Sequence, residues 1–395
     1  MSTELERRLR DALARLPESS GDARRRARAA ALATLPAERR RTSGWLLLVT
    51  VTVTAVLGTA AALAASGKLH VELGARRSQP RIVVPTRLDV PQGSHGIAVA
   101  AGGRVWLATR RGFRIEGMNA SAVELSPRAL YAVVGLGRSL VAIAPRRHPW
   151  TQETAGRVVA AAWSPDGLKI AYVVARRGRN ELRLIEGDGD HDRLVDPRVA
   201  ALKPSWRADS LAVAYVTAGG QARVYDLGSG RRRTFETRRC GGPAQAVAYA
   251  PAARRLAVAG RSGVAVVGRW NRPPGCVTFE RVLTMDALAW LPDGGVVTTD
   301  HPAQGFAAHS AIRRFRWRGA GAPAARGAAY SADALRALAS APVGSLLAVA
   351  VEPVRGTLQI RVAPPPPLGS AGMLSHGRLI LRVRVPAGPV SLSWR

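Results

Sequence analysis

The chain has 395 residues, of which 47% are hydrophobic and 22% are charged. This composition is typical of a globular protein with a sizeable core, and it excludes a chain too polar to fold. The formal net charge of +31 comes from 58 basic and 27 acidic residues, and nearly all of the basic residues are arginine. Such a charge attracts polyanions, so nucleic acid, lipid head groups and anionic polymers are the partner classes to compare.

Residues 1–43 are predicted to form two short, basic helices. A capping box at Thr3 and Glu6 begins the first helix. Its apolar face consists of Leu5, Leu9, Leu13 and Leu16. A second helix begins at Asp22 and ends before Pro36. Two such helices are too short for a stable domain, so they either bind a cytosolic partner or form a basic collar at a membrane.

Residues 44–67 carry no charge and are predicted to cross a membrane as a helix from Trp45 to Ser66. At 1.5 Å per residue the stretch spans about 36 Å, which exceeds the hydrocarbon core of about 30 Å. We interpret it as an uncleaved signal anchor. The alternative is a cleaved signal peptide with its processing site at Ala62-Leu63-Ala64.

The basic residues on the two sides of this stretch predict its orientation. Residues 24–43 hold seven arginines, and residues 68–87 hold five basic groups. The excess predicts a cytoplasmic N-terminus and an extracytoplasmic remainder of the chain in the cell membrane. Residues 68–95 then form an extended tether rich in proline and arginine, in which Ile82-Val83-Val84 is a candidate outer strand.

The stretch Val159 to Val174 predicts two antiparallel strands joined by a tight turn. Its centre, Ser164-Pro165-Asp166-Gly167, holds a proline that presets φ and a glycine that can adopt positive φ. A helix does not cross this segment, because proline lacks the N–H donor and disfavours the α conformation in the preceding residue. The flanking runs of alanine, aromatic and β-branched residues are therefore strands.

The same pattern recurs along the chain. Trp206 follows Trp163 by 43 residues, and Trp290 lies in a later copy, Leu288 to Gly294. Further copies are Gly96 to Ala108, Tyr131 to Ala142, Val247 to Pro251 and Leu338 to Pro342. A period of about 40–45 residues with four short strands per unit is typical of a β-propeller. The predicted fold class is all-β: a seven-bladed β-propeller over residues 96–395, with six or eight blades as alternatives, preceded by a transmembrane α-helix.

The C-terminal segment Val390 to Trp394 has the same pattern as Val159 to Trp163. It predicts an innermost strand, so that both ends of the propeller share a blade. Pro364 to Pro367 predict a loop inside the last repeat, because proline cannot donate to a strand ladder. The recurring aromatic residues are predicted to be core between blades and not a ligand cage. They are Trp163, Trp206, Tyr249 and Trp290.

The segment Trp163 to Tyr172 resembles the WD-repeat-like blade of TolB-type propellers. Leu182 to Ile185 with Gly187-Asp188-Gly189, and Arg223 to Gly230 in the next repeat, look like the third strand and turn of the same unit. The resemblance covers about residues 96–395. It implies a propeller fold and protein–protein interaction in the cell envelope. The predicted membrane anchor departs from TolB, which has an extra N-terminal domain instead.

Two sets of residues are candidate bridges or ligands. Cys240 and Cys276 are 36 residues apart and flank one repeat, so an oxidising compartment favours a disulfide, with free thiols as the alternative. Asp188, Asp190 and Asp192 alternate in an oxygen-rich loop and are a weak candidate for a metal site. The loop lacks the glycine and the bidentate glutamate of an EF-hand, so a solvated turn is the alternative.

No motif in the sequence predicts catalysis or a cofactor. The seven histidines show no metal-binding spacing, and the sequence contains no nucleophile elbow and no phosphate-binding loop. We therefore expect a non-catalytic binding propeller whose partner is an envelope protein, an anionic polymer or lipid head groups. Nucleic acid is not expected for an extracytoplasmic domain. The alternatives are a transmembrane signalling protein of the anti-sigma type, in which residues 1–43 bind a cytosolic regulator, and a propeller enzyme.

Overall fold

The computed structural model describes residues 81–83, 96–109, 113–127, 131–143, 149–251, 254–268, 274–279, 283–284, 287–302, 310–317, 323, 325–342, 344–374, 377–386 and 390–394. Apart from a 3₁₀ turn at Arg238–Cys240, the regular elements of these residues are all β-strands. The helices predicted for 1–43, the span predicted for 44–67 and most of the tether at 68–95 lie outside the described residues.

The prediction of a membrane-spanning helix before the propeller is corrected. None of the described residues belongs to a helix with the length and apolarity that a membrane crossing requires. The predicted single-pass location, with its anchor from Trp45 to Ser66, therefore finds no support in the structure. Absence of charge over residues 44–67 was the basis of that prediction, and absence of charge alone does not establish a helix that crosses a membrane.

The first sheet of the chain has eight strands. Its first seven strands are β1 (Arg81–Val83), β2 (Gly96–Ala101), β3 (Gly103–Thr109), β4 (Phe113–Leu125), β5 (Ala132–Leu136), β6 (Ser139–Ile143) and β7 (Trp150–Glu153). The next sheet contains β8 (Arg157–Trp163), β9 (Lys169–Arg176), β10 (Arg179–Glu186) and β11 (Arg193–Val199). It is followed by the sheet of β12 (Ser205–Trp206), β13 (Ala212–Val216), β14 (Ala222–Asp226) and β15 (Arg232–Phe235).

Three further sheets complete the fold. The first contains β16 (Ala244–Tyr249), β17 (Leu256–Gly260), β18 (Gly263–Val267) and β19 (Gly275–Thr278). The remaining strands are β20 (Leu283–Thr284), β21 (Leu288–Trp290), β22 (Gly295–Pro302), β23 (Ser310–Arg316), β24 (Ala325–Ser331), β25 (Ala334–Ser340), β26 (Leu347–Val354), β27 (Thr357–Ala363), β28 (Ala371–Met373), β29 (Arg378–Arg384) and β30 (Val390–Trp394). β20 to β24 and β28 form a six-stranded sheet, and β25, β26, β27 and β29 form a four-stranded one.

These sheets are the blades of an all-β propeller, and the predicted count of seven separate blades is corrected. Four of the six sheets are four-stranded and antiparallel, and the six-stranded sheet adds β28 in parallel to β24 and a second partner strand for β22. In the eight-stranded sheet, the order β30-β2-β3-β4-β5-β6-β7 passes through β4, whose 13 residues pair first with β3 and then with β5. The link between two repeats is therefore itself extended backbone, and the two repeats share one sheet.

The last strand closes the ring by pairing with the first repeat. β30 is antiparallel to β2, with Trp394 opposite Ile97 and Val390 opposite Ala101. An apolar cluster that includes Ile97, Trp394 and Leu358 packs this sheet against the β25–β29 sheet. Similar clusters of alanine, valine and aromatic side chains lie between the other neighbouring sheets. The burial of these faces is the main stabilising contribution of the fold.

One loop leaves its own repeat. Between β27 and β29 the chain passes through Pro364 to Pro367 and adds β28 in parallel to β24 of the neighbouring sheet. Gly327 in β24 permits this approach, because a Cβ there would lie 2.1 Å from the Pro367 carbonyl oxygen. The excursion thereby ties the six-stranded sheet to the sheet that follows it.

Candidate functional site: the axial cavity

The innermost strands of the sheets enclose an axial cavity of about 600 Å³. Its walls are β8, β12, β16, β21, β25, β30 and the second part of β4. An innermost strand has a hydrogen-bonded neighbour on one side only, so its other edge presents backbone N–H and C=O groups to the cavity. Many wall side chains are alanine, including Ala160, Ala246, Ala289 and Ala339. Small side chains thus keep the space open and leave backbone polar groups accessible from it.

Charged side chains at the cavity wall are paired. Among its described lining residues, the charged ones are Glu124, Lys203 and Arg336. Lys203 Nζ lies 2.5 Å from Glu124 Oε2, and Arg336 Nε lies 3.4 Å from Glu352 Oε2. The Glu124 side chain is only 4% exposed, whereas that of Lys203 is 46% exposed. Each cation therefore has an acid beside it, and the wall carries little unpaired charge.

Indole side chains satisfy part of the exposed strand edges. Trp206 Nε1 donates to the Ala162 carbonyl oxygen at 2.9 Å, and Trp290 Nε1 donates to the Ala248 carbonyl oxygen at 2.7 Å. The two bonds connect equivalent positions of successive repeats. Trp163 occupies the same position one repeat earlier, but its Nε1 has no hydrogen-bond partner among the described residues.

Serine hydroxyls satisfy further edge groups. Ser205 Oγ accepts a hydrogen bond from Tyr249 N at 2.9 Å, and Ser393 Oγ accepts one from Leu125 N at 3.1 Å. The first bond crosses from one sheet to the next, and the second joins two repeats within the eight-stranded sheet. The innermost strands are therefore cross-linked around the cavity by side-chain-to-backbone bonds, which fixes the shape of its wall.

The aromatic residues singled out by the repeat are all buried: Trp163, Trp206, Tyr249 and Trp290. They lie in the apolar clusters between sheets. Burial raises the pKa of Tyr249 to about 12, so its phenol stays neutral. These residues form inter-blade core, as the repeat pattern predicts, and all four also border the axial cavity.

Cys240 and Cys276 form a disulfide in the structure, with their Cα atoms 5.2 Å apart. Cys240 ends the 3₁₀ turn before β16, and Cys276 lies in β19, so the bond joins the entrance of this sheet to its outermost strand. Gly263 lies directly against the turn. A Cβ at Gly263 would be 2.2 Å from the carbonyl oxygens of Cys240 and Val277, so the close approach requires glycine.

The three aspartates considered for a metal site occupy the turn between β10 and β11. Asp192 Oδ2 pairs with Arg183 Nη2 at 3.0 Å, and Asp188 Oδ1 accepts a hydrogen bond from Asp190 N at 3.2 Å. In the part of the chain that the structure describes, no group of three or more His, Cys, Asp or Glu residues is placed to hold a metal ion. An ion pair and a hydrogen bond from a backbone N–H to a carboxylate organise this turn.

A buried polar network between two sheets was not predicted from the sequence. Asp196 in β11 accepts hydrogen bonds from the Tyr215 hydroxyl at 2.8 Å and from Arg223 Nη1 at 2.9 Å, both in the next sheet. Burial, and then the Asp196 carboxylate, raise the pKa of Tyr215. The sequence offered one sign of it, an acid directly before Pro197. The buried and exposed faces of that strand could not be assigned from the sequence without knowing the strand it pairs with.

The fold and the cavity define a β-propeller, and comparison with known proteins agrees with this class. No protein-family model matches the chain, and no curated protein matches it. Solved structures do match. The RRP9 WD40 repeats are 12% identical, with a TM-score of 0.52 over 79% of this chain and 89% of that one. The Cps50 (Swd1) β-propeller domain from Myceliophteria thermophila is 12% identical, with a TM-score of 0.51 over 68% and 87%.

TolB from Acinetobacter baumannii is also similar, with 13% identity and a TM-score of 0.49 over 79% of this chain and 68% of that one. At these identities the likeness concerns the fold alone. The chain therefore has a propeller fold of the kind seen in the WD40 structures.

Proposed function

We propose that the protein is a non-catalytic binding scaffold that takes a protein partner at its axial cavity. The observation that carries the proposal is the cavity itself: about 600 Å³ framed by strand edges and alanine side chains. This volume lies within the range of about 300–1,000 Å³ found for small-molecule sites, so the cavity has room for a short polypeptide segment. Backbone donors and acceptors along the edges suit a polypeptide segment, which can form main-chain hydrogen bonds with them.

The charges of the wall favour binding over catalysis. General acid–base chemistry needs a group whose protonation can change near the reacting atoms. Glu124 is held by Lys203, and Arg336 by Glu352, so the ionic groups of the wall already have partners. Propeller folds host many roles, and the fold by itself does not choose among them.

Site-specific photo-crosslinking tests the proposal. A benzoylphenylalanine placed at Ser340, a half-exposed position of the wall, should give one discrete adduct with a protein partner in cells. Adding Ala246→Trp should abolish the adduct, because the indole fills the cavity. The matched control is Ala371→Trp, an exposed alanine in β28 away from the wall, which should leave the adduct unchanged.

Circular dichroism should first establish that both tryptophan variants are folded. Absence of any discrete adduct in all backgrounds would contradict the proposal. So would an adduct that persists in the Ala246→Trp variant.

A further inference from the structure

Alternation of strand direction brings the turns between the second and third strands of the repeats to one end of the propeller. We call this end the hairpin face and define it by the turns that follow β2, β5, β9, β13, β17 and β26. The turns that follow the innermost strands, such as Ser164 to Gly167, lie at the opposite end. This division sorts the surface residues by position along each blade.

The hairpin face carries a repeated arginine. Five of its six described turns have one in or next to the turn: Arg104, Arg138, Arg177, Arg261 and Arg355. All five side chains are exposed, and within the described residues none of them has an acidic partner at ion-pair distance. Arg157 and Arg239 are also exposed at this end, whereas the exposed acids there are Glu153 and Glu236. The hairpin face is therefore strongly positive.

This arrangement contrasts with the cavity wall, where both cations are paired. An exposed arginine without a partner contributes little to folding stability, and like charges on one face repel each other. Recurrence of such residues at equivalent turns points to a role outside the fold. Guanidinium groups bind carboxylates in a planar, two-pronged geometry, and several of them in a ring suit an extended anionic surface.

We infer that the hairpin face docks an acidic segment of a protein partner, whose carboxylates are bound by the five hairpin arginines. The inference rests on the proposed function, because it names the chemistry of the partner. The segment has to be long enough to reach several blades, since the arginines come from separate turns. Mutual attraction would also speed the encounter of the two proteins.

Other observations favour an acidic polypeptide over nucleic acid. Proteins that bind single strands stack bases on exposed aromatic rings, and no aromatic residue is among the exposed large apolar side chains of the described residues. The disulfide between Cys240 and Cys276 also suits an oxidising compartment.

Binding of fluorescent poly-L-glutamate to the full chain tests the inference. One variant combines Arg138→Gln, Arg177→Gln, Arg261→Gln and Arg355→Gln. The matched control combines Arg193→Gln, Arg231→Gln, Arg326→Gln and Arg382→Gln, which are exposed positions outside the hairpin face. Both variants remove four charges, so a pure net-charge effect is equal in the two.

We expect the hairpin variant to bind poly-L-glutamate at least about tenfold more weakly than the wild type, and the control to lose less than about threefold. The salt dependence of binding should also become shallower in the hairpin variant alone. Equal losses in the two variants would overturn the inference, as would absence of binding to the wild type. Tighter binding of duplex DNA than of poly-L-glutamate at the same ionic strength would overturn it in favour of nucleic acid.

The crosslinking result at Ser340 does not depend on the hairpin arginines. A discrete adduct there together with failure of the poly-L-glutamate assay would therefore retain the binding function and remove only the docking face. Failure of the adduct with a selective loss in the hairpin variant would remove the cavity site and retain the acidic partner.

Discussion

Replacing Asp196 by alanine should destabilise the propeller more than any other single loss of a carboxylate discussed above. The side chain of Asp196 is 5% exposed, and it joins two sheets through Tyr215 and Arg223. Breaking a buried ion pair by removing one partner costs about 3–5 kcal/mol. The Arg223 side chain is 28% exposed, so water can solvate part of its guanidinium group once the Asp196 carboxylate is removed. We therefore expect Asp196→Ala to lower the free energy of unfolding by about 2–4 kcal/mol.

The same geometry predicts a coupling that a simple loss of packing would not produce. In the wild type, Tyr215→Phe removes a hydrogen bond to a buried acid and leaves that acid with one partner fewer. In the Asp196→Ala background the Tyr215 hydroxyl is already orphaned, so removing it should cost little or even restore stability. A double-mutant cycle, with urea unfolding followed by tryptophan fluorescence, measures this coupling, which we expect to be about 1–2 kcal/mol.

Asp226→Ala is the matched control for this cycle, because its side chain is 41% exposed and its main hydrogen-bond partners lie in its own turn. It should cost less than about 1 kcal/mol. Equal effects of Asp196→Ala and Asp226→Ala on the free energy of unfolding would refute the role of this network. Simple addition of the effects of Asp196→Ala and Tyr215→Phe would also refute it.

Three further predictions concern other parts of the fold. Cys276→Ser should lower the free energy of unfolding by ~3–4 kcal/mol in the chain-entropy account, and a reductant should destabilise the wild type but not the variant; equal stability of the two under oxidising conditions would contradict it. Trp290→Phe should cost about 1–3 kcal/mol more than Trp163→Phe, because only the first leaves a buried carbonyl without its donor; equal melting temperatures would contradict it. Burial alone would raise the pKa of Asp209, but hydrogen bonding from Arg207 holds that pKa below its ordinary value. The stability that the Asp209 carboxylate contributes is therefore fully present above the ordinary pKa and is lost as acid protonates the carboxylate in the folded state. Wild type and Asp209→Asn should therefore converge in melting temperature on acidification, and a gap that widens in acid would contradict this.

The conformation of the tight turns could be predicted from the sequence because it depends on neighbouring residues. Gly167 has a φ of +73°, and its N–H donates to the Ser164 carbonyl oxygen at 2.9 Å. Leu168 N donates to Asp166 Oδ1 at 3.0 Å. These are the roles that the residue types predict for a tight turn, and the repeat period then places the same turn in the later sheets.

Long-range polar contacts could not be predicted in the same way. Glu124 and Lys203 are 79 residues apart. Glu124 lies in β4 and Lys203 directly before β12, two sheets further along the chain, so they meet only in the assembled fold. Asp196 is likewise 27 residues from Arg223. Neither acid lies in a local motif, and strand alternation does not say which neighbouring sheet a side chain faces. The polar part of the candidate site therefore required the assembled fold.

The errors in the predicted fold have physical causes as well. Periodicity counts repeats but not hydrogen-bonded sheets, so it gave no sign that β4 would run through two repeats. Hydropathy measures transfer to an apolar phase and does not specify a helix, so an uncharged stretch did not suffice to predict a membrane span.

The net charge of +31 can be interpreted only when the basic residues are assigned to their positions in the fold. At the cavity wall, where a desolvated charge would be costly, Lys203 and Arg336 each have an acid beside them. At the exposed hairpin turns, arginine recurs without one. Exposed arginines such as Arg193, Arg231 and Arg326 lie outside both regions, so this contrast concerns the cavity wall and the hairpin turns and not the whole surface. The cavity is thus suited to select a partner by shape and main-chain hydrogen bonds, and the hairpin face by charge.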